Sequence, residues 1–80
     1  MPEWEKIGKF IEIRRLPRSE GRKTVCWIVR SARSRAPLGV IAWRSGWRQY
    51  VLEPELHTVW SAGCLRDVAA FLDRVKGVRE

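Results

Sequence analysis

Arginines interleaved with aromatic residues are the one arrangement in this sequence whose types and spacing could act on a ligand. Arg14, Arg15, Arg30, Arg44 and Arg48 fall in or beside segments that also carry Trp27, Trp43, Trp47 and Tyr50, and Arg33 and Arg35 occupy a short connection. Guanidinium groups neutralise phosphates, and aromatic faces stack on unpaired bases at roughly 1–3 kcal/mol per base. The expected binding surface, for nucleic acid or a partner, is therefore Arg14, Arg15, Arg30, Arg33, Arg35, Arg44, Trp47 and Arg48. Trp27, Trp43 and Tyr50 are assigned to the core, because tryptophan is a large hydrophobe before it is a stacking platform. Trp47 is assigned to the face left open. An Arg44–Trp47 contact across a hairpin would be worth about 0.5–1 kcal/mol when exposed, and it needs no ligand to explain it.

Other chemistries lack their constellations. The one histidine, His57, follows Pro54 in a turn, and Ser45 and Ser61 have turn and capping roles. Cys26 and Cys64 begin neither a CxxC nor a CxxH pattern, and with His57 they would still lack a fourth metal ligand. Gly39 and Gly46 have strand and turn explanations, so no phosphate loop is present. No catalytic residue, cofactor or metal is predicted, and the chain is not read as an enzyme.

The 16 Lys and Arg against 9 Asp and Glu give a net charge of +7. The excess is uneven: residues 1–35 hold ten Lys or Arg against four Glu, a net of +6. Such a field attracts polyanions, nucleic acid first. Alternatively, the charge only keeps molecules apart. The N-terminal MPEWEKIGKF is charged and has no apolar signal region, and no apolar run reaches the ~20 residues of a membrane span. A cytoplasmic protein without membrane partners is expected.

The elements that must position these residues centre on Leu38–Leu52, a dense run of strand formers broken by Ser45-Gly46. A hairpin with a two-residue loop would set Arg44 opposite Trp47 and Ile41 opposite Tyr50. Alternation then places Ile41, Trp43, Arg48, Tyr50 and Leu52 on one face, and Val40, Ala42, Arg44, Trp47, Gln49 and Val51 on the other. The full reading is one domain, residues 1–80, with strands at about 9–16, 24–31, 38–44 and 47–53, a short one at 58–60, and a helix at about 62–76. Residues 1–8 read as a leader, although Trp4, Ile7 and Ile11 also fit a helical face. Residues 17–23 and 32–37 are basic loops whose turns point to opposite ends of a meander. Ser61 caps the helix, whose stripe is Leu65, Val68, Ala69, Leu72 and Val75, flanked by Cys64 and Phe71, and Gly77 ends it. The fold class is α+β, an antiparallel meander of four to five strands packed on one C-terminal helix.

One helix cannot cover both sheet faces, so an apolar, Arg-bearing face is left over for a dimer interface, a partner site or a ligand platform. An 80-residue chain also has a marginal core that dimerisation would support.

Residues 38–72 carry Leu38, Gly39, Ile41 and Trp43, then Trp47, Arg48, Tyr50 and Pro54, then Cys64, Leu65 and Asp67. This LGxIxW…WRxY…P…CLxD pattern resembles a family of small proteins of bacteria and their phages. The resemblance implies a strand–strand–helix arrangement and a phage or mobile-element setting, and no particular activity. The order of strands followed by one helix is also similar to the single-stranded-DNA-binding fold of transcriptional coactivators. These readings lead to an expected small basic nucleic-acid-binding protein, with single strands favoured and a homodimer as its assembly. The alternative is an interaction or inhibitor protein, of anti-defence type, that binds a protein partner through the open face.

Overall fold

The computed structural model describes residues 4–16 and 24–76. Five strands, β1 (Glu5–Ile7), β2 (Ile11–Leu16), β3 (Cys26–Ser31), β4 (Pro37–Arg44) and β5 (Gln49–Pro54), precede one helix, α1 (Ala62–Arg74). The strands pair antiparallel in chain order, β1-β2-β3-β4-β5. The α+β meander with one C-terminal helix is thus the architecture of this chain.

Alternating side chains decide what α1 covers. Ile7, Ile11, Ile13, Val29, Ile41 and Tyr50 are buried with Val68, Phe71 and Val75 of the helix. Trp27 meets Phe71 edge-on at 5.1 Å and Tyr50 at 5.3 Å, and Tyr50 meets Trp43 at 5.4 Å. Each such pair adds about 0.5–1.5 kcal/mol beyond the area it buries. The core assignment of Trp27, Trp43 and Tyr50 therefore stands.

Several boundaries differ from those expected. The fifth strand is β1 at the N-terminus, and Thr58–Trp60 has no regular structure. The segment read as a leader pairs with β2 through Glu5↔Ile13 and Ile7↔Ile11, and Gly8 turns the chain at φ 70°. That turn is held from outside: Asp67 of α1 accepts the backbone N–H groups of Lys9 at 3.1 Å and Phe10 at 3.0 Å. Phe10 leaves the strand and packs where a Cβ on Gly63 would stand.

The central hairpin has a four-residue loop, Ser45 to Arg48, with Arg44 opposite Gln49, Trp43 opposite Tyr50 and Ile41 opposite Leu52. This is two residues from the expected register, so the strand residues keep their faces. Arg48, expected in a strand beside Trp43, instead takes the left-handed conformation at φ 56° in the loop, while Gly46 does not. Between Val29 and Arg30 the β3–β4 register shifts, and Leu38 is the additional residue. Gly39 follows it because a Cβ there would stand 2.5 Å from the Glu53 carbonyl oxygen.

Ser61 Oγ accepts the Cys64 N–H at 3.1 Å, the expected cap. The helix stops at Arg74, before the expected Lys76, and Gly77 lies outside the described residues. Its buried stripe is rotated towards Phe71. Val68, Phe71 and Val75 are buried, Cys64 and Leu72 are half-buried, and Leu65 and Ala69 are exposed. Trp27 supplies the large apolar partner that draws Phe71 inward.

Candidate functional site

The uncovered face of the sheet carries the arginines that strand alternation predicts. Arg14 on β2 lies opposite Ile28, Glu12 lies opposite Arg30, and Arg44 closes β4 opposite Gln49. Ile28, Val40, Ala42 and Val51 give this face an apolar floor, all half-buried.

Trp4, just ahead of β1, folds over this floor. The Arg30 guanidinium lies 3.7 Å from the centre of its ring, and that of Arg14 lies at 5.9 Å. Arg30 donates Nε–H to Glu12 Oε1 at 2.8 Å, with both side chains about four-fifths buried. The guanidinium is thus fixed by a carboxylate at one edge and an indole on one face. Arg14 Nε is buried without a hydrogen-bond partner among the described residues. Beside the stack is an open hollow of about 250 Å³, lined by Trp4, Ile28, Arg30, Arg35, Pro37, Val40 and Glu55, among others.

Arg35 reaches the hollow from the β3–β4 turn, where it stands at φ 64°. Ser31 shapes that turn: its Oγ accepts the N–H groups of Arg33 and Ser34, each at 3.2 Å. The turn lies beside the β1–β2 turn, as the Ala32 N–H donates to the Phe10 carbonyl at 2.9 Å.

A second cluster occupies the opposite end of the sheet, where β4 turns into β5. Trp47 is 62% exposed, and Arg44 lies 5.3 Å from its ring, with Arg48 next in the loop. The Arg44–Trp47 contact forms as expected, although the two are not cross-strand partners.

The eight expected residues therefore do not make one patch. Arg14, Arg30 and Arg35 join Trp4 in one cluster, and Arg44, Trp47 and Arg48 make the other. Arg15 belongs by alternation to the helix side, opposite Trp27, with its side chain exposed. Arg33 is exposed in its turn. The basic loop at residues 17–23 lies outside the described residues. Trp4 is the member that sequence reading missed. The signal was present, because Trp4 and Lys6 alternate with Glu5 and Ile7 ahead of Gly8, a short strand and its turn.

Among the described residues no group of three His, Cys, Asp or Glu could hold a metal ion, and no helix is long and apolar enough to cross a membrane. His57 is exposed in a turn at φ 64°. A further groove of about 420 Å³ runs between β5 and α1, lined in part by Trp47, Tyr50, Leu52, Leu72, Asp73 and Lys76. Comparisons with protein-family models, with curated proteins and with solved structures gave no match.

Proposed function

We propose that this chain is a small basic nucleic-acid-binding protein that holds a single strand against the uncovered face of its sheet. One observation carries the reading: Trp4, Arg30 and Arg35 line an open hollow on an apolar floor, with Glu55 as its acidic member and Arg14 beside the Trp4 ring. The hollow accepts a planar base beside the indole, while Arg14 and Arg35 supply charge for the flanking phosphates. A duplex offers phosphates but no free base faces, so the stacking part of the affinity belongs to single strands. The net charge of +7 adds long-range attraction.

The test is a titration of a labelled oligonucleotide, single-stranded and then annealed, into wild type and Trp4→Ala. Tighter binding of the single strand, weakened in Trp4→Ala, is expected. Equal affinity for both forms, or none at low salt, contradicts the reading.

A second reading, a protein partner in a phage or mobile-element setting, is favoured by a different observation. Leu56 is 85% exposed and Val59 87% exposed, and both lie in the segment that leads into α1. Exposed apolar side chains suit a protein surface better than a polyanion. Binding to such a partner would depend only weakly on salt, whereas phosphate neutralisation depends on it steeply.

A further inference from the structure

We infer that β5 is the seam of a homodimer, in which two copies pair their β5 strands antiparallel and join two five-stranded sheets into one. The inference stands apart from the nucleic-acid reading and needs no ligand.

The two sheet edges are built differently. An edge strand presents unpaired N–H and C=O groups, which proteins protect by shortness, charge, proline or a bulge. β1 is protected by its three-residue length and by Glu5 and Lys6. β5 is six residues long, and its charge and proline, Glu53 and Pro54, come only at its end, so Gln49 to Leu52 carry neither. Its register with β4 runs without a bulge. Beside this edge lies the 420 Å³ groove, with Tyr50, Leu52 and Leu72 in its wall, Trp47 at one end, and Asp73 and Lys76 among its lining.

A second copy fits this edge for two reasons. First, the groove offers one acidic and one basic side chain, so its charge is balanced. A surface of that kind is self-complementary across a two-fold axis. Second, β5 has one self-pairing register in which every pair is compatible. Opposed residues in a ladder share a face, so a symmetric pairing must be centred on a residue. Centring on Val51 sets Val51 against itself, Tyr50 against Leu52 on the helix side, and Gln49 against Glu53 on the other. Centring on Leu52 would instead set Val51 against Glu53 and Tyr50 against Pro54. Centring on Tyr50 would set Gln49 against Val51. The Val51 register leaves Trp4, Arg14 and Arg30 uncovered, because they lie on β2, β3 and the segment before β1.

Sedimentation equilibrium of the full chain, from low to several hundred micromolar, tests the seam. Wild type is expected to approach twice the 9.4 kDa of one chain. Val51→Lys sets like charges against each other at the centre of the seam, and it is expected to sediment as a monomer with an unchanged far-ultraviolet spectrum. Val51→Cys is expected to oxidise to a covalent dimer, while Gln49→Cys and wild type do not; this readout survives if the lysine variant fails to fold. A wild type that stays monomeric throughout overturns the seam. So does a folded Val51→Lys that remains dimeric, or a Val51→Cys protein that does not cross-link.

Discussion

The guanidinium of Arg30 lies 3.7 Å from the centre of the Trp4 indole ring, although the two residues are separated by a whole strand of the sheet. Glu12 holds the same guanidinium at 2.8 Å, so the stack is set before any ligand arrives. Removing the indole by Trp4→Ala is therefore expected to weaken single-strand binding by about 1–3 kcal/mol, roughly 5- to 150-fold. Trp47→Ala, at the far end of the sheet, is expected to cost less. Fluorescence anisotropy on both variants checks the order, with circular dichroism to confirm that each is folded.

Arg14 and Arg35 should report through salt. Every phosphate left without its protein cation lowers the slope of log affinity against log salt by about 1. Arg14→Gln and Arg35→Gln are each expected to flatten the slope by about that amount. Arg66→Gln, exposed on the helix that covers the other sheet face, is expected to leave it unchanged. Titrations at four or five salt concentrations make the comparison.

Asp67 ties the helix to the first hairpin by accepting two backbone N–H groups, those of Lys9 and Phe10. Asp67→Ala exchanges this acceptor for water at both exposed donors and is expected to cost about 0.5–1.5 kcal/mol. Gly8→Ala attacks the same joint from the other side. Its φ of 70° suits glycine, and an added Cβ would collide with the Asp67 carboxylate. Urea unfolding of both variants should show a lower midpoint than wild type.

The hairpin loop offers the opposite change. Arg48 holds the left-handed conformation at φ 56°, which costs a side-chain-bearing residue about 1–2 kcal/mol. Arg48→Gly is expected to stabilise the chain by roughly 0.5–1 kcal/mol, raising Tm by about 2–8 °C. Gly46 has nothing within 4 Å of an added Cβ, and its φ is not in the left-handed region. Gly46→Ala should therefore be tolerated, which a turn built around that glycine would not allow. Thermal melts of the two variants distinguish these loop geometries.

The legible part of the fold is the part set by local period. Ile11 and Ile13, Trp27 and Val29, and Ile41 and Trp43 alternate, so their faces follow from the sequence without knowledge of their partners. The hairpin register differs by two residues from the one a two-residue loop implies, yet the faces survive because the strand period is two. Ser61 is legible as a cap because its role is local. The missed features depend on distant partners. β1 is only three residues long, and its turn is held by Asp67, more than fifty residues away. The helix stripe turns towards Phe71 because Trp27 lies beneath it, which helical periodicity alone does not encode. The site follows the same rule. The arginines are legible on their strands, but their division into two clusters and the recruitment of Trp4 are properties of the sheet.

The most direct measurement is a ¹H–¹⁵N NMR titration of the full chain with a single strand of about ten nucleotides, a length within the range that small binding folds cover. Shifts are expected to concentrate at the Trp4 indole N–H and at the Arg14, Arg30 and Arg35 Nε–H groups, and to be reversed by added salt. Spectra that do not change at low salt, or shifts confined to α1 and the Leu56–Val59 segment, would contradict it.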